Sequence, residues 1–305
     1  MREKNPHQVQ YSTDSGKQSN HAPLILIHDG GGTIFSYFLL GDLHRDVWAI
    51  HNPKYFTAEP WEGGIDEMAS HYIELMKDAG IKGKILLGGT TVRWSLGGLL
   101  SLAIAHKLAA AAAKDPSSCD LTVTGLVLVD AAYHIPWSKL QGPNPDPELG
   151  PVPELIRKSF SNCSGLLDNW ELPTWDDPSL GGEAIHRDHC AAGDTDQVLY
   201  KSLREDWRVL DCGRHHDKVT ASPPPALLLR CTHPVPTKET DPCRVDLFRD
   251  EPLLGWDGRY PDFIKAVVET DAHHFNVFEF SKVVQATARL NEGLAVLERL
   301  SSLHR

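Results

Sequence analysis

Short, uniformly apolar runs alternate along this chain with longer stretches in which apolar residues recur every three or four positions. Leu24–Ile27 (LILI) is the first such run, and it stops at His28-Asp29-Gly30-Gly31-Gly32. That pattern predicts a buried strand followed by a flexible backbone turn. Residues 46–52 (DVWAIHN) predict a second strand, stopped by Pro53. Over residues 65–79 the apolar positions Ile65, Met68, Ala69, Tyr72, Ile73, Leu75, Met76 and Ala79 keep helical spacing, and Gly80 closes the helix. Residues 84–87 (KILL) predict a third strand. Residues 96–113 predict a long Leu- and Ala-rich helix, stopped by Lys114-Asp115-Pro116. Residues 121–129 (LTVTGLVLV) read as a fourth strand ending at Asp130, and 226–229 (ALLL), after three prolines, as a fifth. Residues 263–270 lead into His273-His274, and 280–300 look like a closing helix.

Strands that are apolar throughout, alternating with helices, mark a parallel sheet covered on both faces, so the fold class is α/β. Such sheets bind their ligands beyond the carboxyl ends of the strands. The polar punctuation there makes Asp29, Ser95, Asp130 and His274 the candidates for chemistry. Between Trp137 and Pro223 the character changes to many Pro, Gly, Asp and His, with three more tryptophans. Helical pieces are expected at 153–160 and 196–210, with no strong strand. The stretch interrupts the sheet, so residues 138–222 are expected to be a helical lid inserted in one domain spanning 21–305. Residues 1–20 are polar and are expected to form a flexible extension.

Composition narrows the classes. The 305 residues hold 30 Lys and Arg against 41 Asp and Glu, a net charge of −11, which disfavours nucleic acid as a partner. An apolar fraction of 41% excludes disorder. The N-terminal stretch lacks a secretory core, and the longest apolar run, 99–113, contains His106 and Lys107. A cytoplasmic protein that does not enter a membrane is the expectation. Six scattered cysteines form no CxxC pair and read as free thiols. His186, His189 and Cys190, and His215, His216 and Asp217, form clusters without a recognised metal spacing, so no metal is expected.

Arg93-Trp94-Ser95-Leu96-Gly97-Gly98 follows a strand and opens a helix. A serine at such an elbow holds its Oγ above the sheet edge, and glycines beside it let strand and helix pack closely. The Leu96 amide, at the helix start, would face a developing oxyanion. A second donor would come from Gly30 or Gly31. A serine hydroxyl needs a base and an orienting acid. His274 is placed to be the base, with His273 as the alternative. Asp130 is preferred as the acid over Asp241 and Asp246, because no acid directly follows the fifth strand. Trp137, Trp170, Trp175 and Trp207 either line an acyl pocket or fill the lid's own core.

IHDGGGTIFSYFLLG (27–41), NP…EPW.GGI.EMA (52–69), LLGG…WSLGG (86–98) and LVLVDAAYH (126–134) resemble the thioesterase domains of fungal polyketide synthases and their free-standing relatives in secondary-metabolite clusters. The likeness covers roughly residues 22–135 and 225–300. It implies an α/β-hydrolase fold, a Ser95–Asp130–His274 triad and an acyl-serine intermediate. It also implies an acyl, polyketide or peptidyl thioester as substrate, carried on the phosphopantetheine of a carrier domain of a polyketide or peptide synthase, with no cofactor of the protein's own. Hydrolysis and cyclisation both fit. One departure stands out: Thr90-Thr91-Val92-Arg93 separates Gly89 from Trp94 where the family runs GGWSLGG. Two other readings follow. One is a serine hydrolase acting on oxoesters or lactones. The other is a carrier-binding relative whose elbow is impaired by the four residues.

Overall fold

The computed structural model describes residues 4–12, 21–89, 96–118, 120–142, 147, 153–175, 197–210, 223–238, 242–257, 259–260 and 263–302. Its centre is a nine-stranded sheet: β1 (His7–Gln10), β2 (Leu24–Ile27), β3 (Val47–Ile50), β4 (Gly83–Gly89), β5 (Leu121–Val129), β6 (Val198–Lys201), β7 (Arg208–Leu210), β8 (Ala226–Cys231) and β9 (Ile264–Thr270). The spatial order is β1-β3-β2-β4-β5-β8-β9-β6-β7. All neighbours pair in parallel except the two edges, where β1 runs against β3 and β7 against β6. Among the described residues four α-helices accompany it: α1 (Gly64–Asp78), α2 (Leu96–Lys114), α3 (Glu154–Leu167) and α4 (Val283–Ser302).

Alternate residues of each central strand feed two separate cores. Ile25, Ile27, Leu87, Leu126, Leu128 and Leu228 pack with α1 and α2. Leu24, Leu26, Leu86, Val127, Val129 and Leu227 pack with α4 on the other face. Burial on both faces is why these strands are apolar at every position. The α1 stripe Ile65, Met68, Ala69, Tyr72 and Met76 is buried as its spacing requires. The helix ends at Gly80, whose φ of +76° takes the left-handed turn a glycine permits. α2 is long and apolar enough to cross a membrane by length and composition, which differs from expectation. Here Leu96–Ala105 and Leu108 are buried against the sheet and α1, which accounts for that composition.

Two other expectations are corrected. Where a helix is expected over 196–210, the described residues 197–210 hold none: Val198–Lys201 pairs in parallel with β9 (Leu199 opposite Ala266), and Arg208–Leu210 folds back on Val198–Lys201. The strand is only four residues long and its partner lies far along the chain, so local pattern favours the helix formers of the Ser202–Asp206 connection. Within the expected 138–222 lid, therefore, the part from Val198 to Leu210 belongs to the sheet. The N-terminal extension also contributes. His7–Gln10 adds β1, whose residues are all half-buried. Its hold on the fold is polar: the Asn5 side chain bonds the carbonyl and amide of His51, and Gln10 donates to the Gly41 carbonyl at 2.9 Å. An edge strand tied by amides carries no apolar signature.

Candidate active site

Chain order reverses between β2 and β4, since β3 lies on one side of β2 and β4 on the other. This is the switch point at which open parallel sheets form their crevice. The loop after β2 and the start of α2 both lie there. β4 and α2 touch backbone to backbone: a Cβ added at Gly89 would sit 2.8 Å from Gly97 and 3.0 Å from the Ile27 carbonyl. Leu96 is the first residue of α2 and fully buried, so its amide belongs to the unpaired N-terminal turn of the helix. Ser95, like Trp94 and the Thr90–Arg93 insertion, lies outside the described residues.

The loop after β2 is organised by Asp29. Its carboxylate accepts the Thr33 amide at 3.0 Å and the Thr33 hydroxyl at 2.9 Å, and the Gly31 and Gly32 amides lean on it as well. Burial raises this carboxyl to about 6, against the pull of those donors. Of the two glycines expected as the second oxyanion donor, Gly31 thus has its amide drawn toward Asp29. Below the loop His28 is buried and neutral: burial takes it down to about 4. Its Nδ1 donates to the Asp29 carbonyl and its Nε2 accepts from the Tyr72 hydroxyl, each at 2.6 Å. Helix α3 rests on the same loop. The Cys163 thiol donates to the Gly30 carbonyl (3.2 Å), and burial pushes that thiol up to about 12.

Asp130 ends β5 with a φ of +50°, a left-handed conformation that Asp tolerates better than most residues. His274, in the loop after β9, brings Nδ1 to 2.9 Å from Asp130 Oδ2, with both side chains buried. A carboxylate can only accept, so Nδ1 carries the proton of this bond. His273 makes no such contact: its Nδ1 accepts the Phe275 amide at 3.2 Å. Asp246 is engaged elsewhere: it accepts the Val235 amide at 2.7 Å and binds Arg249. Asp241 lies outside the described residues. The structure thus joins Asp130 to His274 out of the candidates for acid and base.

Arg249 was not anticipated. It lies bidentate on Asp130, at 2.6 and 2.7 Å. Burial alone would raise the Asp130 carboxyl; the guanidinium, aided by His274, instead holds it well below the usual carboxylate range. The only sequence sign of this pairing is the i,i+3 spacing of Asp246 and Arg249 in RVDLFR. Also unanticipated is Tyr260, whose hydroxyl donates to the Pro173 carbonyl and accepts from Trp175 Nε1, each at 2.8 Å. It fastens the segment after α3 to the β8–β9 connection.

The tryptophans divide. Trp137, Trp170 and Trp175 gather with Leu167, Leu172 and Tyr260 on the α1/α2 side of the sheet. Trp207 packs on the opposite side, with Lys201 over its ring. A single pocket lined by all four is therefore not formed, because β6 and β7 carry Trp207 to the far end of the sheet. The histidine clusters at 186–190 and 215–217 lie outside the described residues.

A mostly parallel sheet with helices on both faces, a glycine turn and a helix start at its switch point, and a buried Asp–His pair at its carboxyl edge define an α/β-hydrolase. No family model matches the chain. It is 48% identical over 310 residues to a probable thioesterase, KK1J, of Curvularia clavata, covering 97% of this chain and 96% of that one. It is 44% identical over 319 residues to the probable thioesterase lcsE of Purpureocillium lilacinum, covering 97% of each. The chain belongs to this family of fungal thioesterases. Among solved structures, the NocB thioesterase domain in covalent complex with a fluorophosphonate nocardicin G analogue has a TM-score of 0.54 at 16% identity, covering 90% of this chain and 96% of that one. ClbQ from the colibactin NRPS/PKS pathway has 0.51 at 14%, covering 92% and 100%. At such identities these share the fold.

Proposed function

We propose that this thioesterase releases an acyl or polyketide chain from the phosphopantetheine arm of an acyl carrier domain in secondary-metabolite biosynthesis, through an acyl-Ser95 intermediate. The observation that carries the reading is the buried 2.9 Å bond between His274 and Asp130, at the sheet edge where α2 begins one residue after Ser95. Ser95 Oγ attacks the thioester carbonyl while His274 Nε2 takes its proton. Asp130 holds the imidazole on its Nδ1 side. The Leu96 and Gly30 amides hold the oxyanion. On collapse the C–S bond breaks, and the thiol leaves with the proton from His274. Water then attacks the acyl-serine and frees an acid, or an internal hydroxyl, amine or enolate closes a ring. Which of these wins depends on how well the segment carrying Trp137, Trp170 and Trp175 excludes water.

The carrier domain is the proposed partner. No cofactor of the protein's own enters the reaction. Of the surface cations open to an acidic carrier, Lys139 and Arg157 are paired with Glu171 and Glu154, which cancels part of their charge. We place the protein in the cytoplasm, where the buried Cys163, Cys231 and Cys243 thiols stay reduced. The test is labelling with a fluorophosphonate probe, together with turnover of paired acyl-pantetheine thioesters and oxoesters. Labelling that is lost in Ser95→Ala, with a preference for the thioester, is expected. A folded protein that is never labelled would refute the serine mechanism, and a preference for oxoesters would move the activity to another ester class.

A further inference from the structure

The acid of this site is held more tightly than its task of orienting an imidazole requires. Asp130 Oδ1 accepts the Cys231 amide (2.8 Å) and Arg249 Nη1 (2.6 Å); Oδ2 accepts Arg249 Nη2 (2.7 Å) and His274 Nδ1 (2.9 Å). All four acceptor sites of the carboxylate are taken. Arg249 in turn makes four hydrogen bonds, two to Asp130, one to the Cys231 carbonyl (2.9 Å) and one from Nε to Asp246 Oδ1 (2.8 Å), and its Nη2 lies in an ion pair 2.8 Å from the same Asp246 oxygen. The three charged side chains are buried together, and Asp246 is anchored by the Val235 amide. A guanidinium this close to Asp130 cancels much of the negative field that should stabilise the imidazolium during turnover. A second buried carboxylate on its far side restores a net charge of −1.

We propose that Arg249 and Asp246 form a charge-balanced clamp on Asp130: the Arg249 fork fixes the plane of the carboxylate, and Asp246 returns the negative charge that the fork removes. Both are positioning residues that act on His274 through Asp130, and the proposal rests on the Ser95–His274–Asp130 reading above. The other titratable groups facing this cluster are the Cys231 thiol at the end of β8, His273 in the loop of His274, and His233 after β8. They are common to every variant below, so the test reads differences only.

The measurement is kcat/KM against pH on an acyl-pantetheine thioester, for the full chain and for Arg249→Met, Arg249→Lys and Asp246→Asn. Ser95→Ala and His274→Ala serve as controls. Removing the cation favours the protonated imidazole, so Arg249→Met moves the acid limb to higher pH by about one unit. Removing the far carboxylate does the reverse, and Asp246→Asn moves the limb to lower pH by about half a unit. Arg249→Lys keeps the charge and loses the fork. Its limb stays in place while kcat falls roughly tenfold. Limbs that coincide in all variants, or that move the same way in Arg249→Met and Asp246→Asn, would overturn the proposal. If Arg249→Met does not fold, Asp246→Asn and Arg249→Lys decide alone: an acid shift in the first and none in the second supports the clamp, and any other pair refutes it. Controls that keep the wild-type rate would instead refute the triad reading itself.

Discussion

Asp29 is a buried carboxylate whose partners are all in its own loop, Gly31 to Thr33. Burial raises its carboxyl from 3.8 to about 6. By linkage, the ionised form then costs the folded state roughly 3 kcal/mol relative to the unfolded chain at neutral pH. The sign follows from the raised value. Proton binding stabilises the fold fully below about pH 4, and that contribution disappears as pH rises through about 6. What the charge supplies in return is a fixed turn beside the oxyanion position. Asp29→Asn is therefore expected to melt higher than the wild type at pH 8, with the gain shrinking toward pH 5. Its kcat at pH 8 should fall between roughly tenfold and a hundredfold through misaligned donors. Thermal melts at the two pH values and steady-state rates check both halves. A melting difference that does not change with pH would show that Asp29 does not titrate in this range.

At the scale of elements, α3 is the piece whose position matters most to that loop. A Cβ placed on Gly31 would lie 3.3 Å from Ile156 and 3.6 Å from Phe160 of α3, and 3.1 Å from Asp29 Oδ1. The helix is also tied by Asn162 to the Ala58 carbonyl at 3.0 Å. Gly31→Ala should push loop and helix apart, lowering kcat/KM about tenfold. Trimming Ile156 to Ala in the same chain should recover part of the loss, and a double-mutant cycle in kcat/KM measures the coupling. Strictly additive effects would show that α3 does not constrain the loop. None of this contact is legible from the sequence, because Gly31 and Ile156 are joined only by the tertiary fold. The central strands and helices were legible, since burial on two faces writes an apolar run and burial on one side of a helix writes a 3.6-residue stripe. β6 is not legible as a strand, because four residues paired to a distant strand leave no such mark. At the site, Asp130 and His274 could be read from their places after apolar runs. Arg249 could not, because a buried arginine in a connection is indistinguishable in sequence from a solvated one.

Taken whole, the proposed site draws on two parts of the chain on either side of α2: the Asp29 loop from before it, Asp130 and His274 from after it. Ser95 belongs to neither and depends on how α2 is seated. That seat is tight. Gly97 lies against the backbone of Gly89, and a Cβ on Gly98 would come within 3.0 Å of Ala131, next to Asp130. Gly89 and Gly97 are already in contact, so a shorter connection between them has no gap to bridge. Excising Thr90–Arg93 shortens the stretch before α2 from six residues to two and leaves both contacting glycines in place. The shorter loop should cost less to close, by about 1 kcal/mol. The Thr90–Arg93 deletion is therefore expected to fold with a melting temperature no lower than the full chain. It should also react faster with a fluorophosphonate, because Ser95 would then follow β4 directly, as in the GGWSLGG pattern. An unchanged labelling rate would show that the four residues are harmless to the elbow. A deletion protein that no longer folds would show that the path from β4 to α2 requires them.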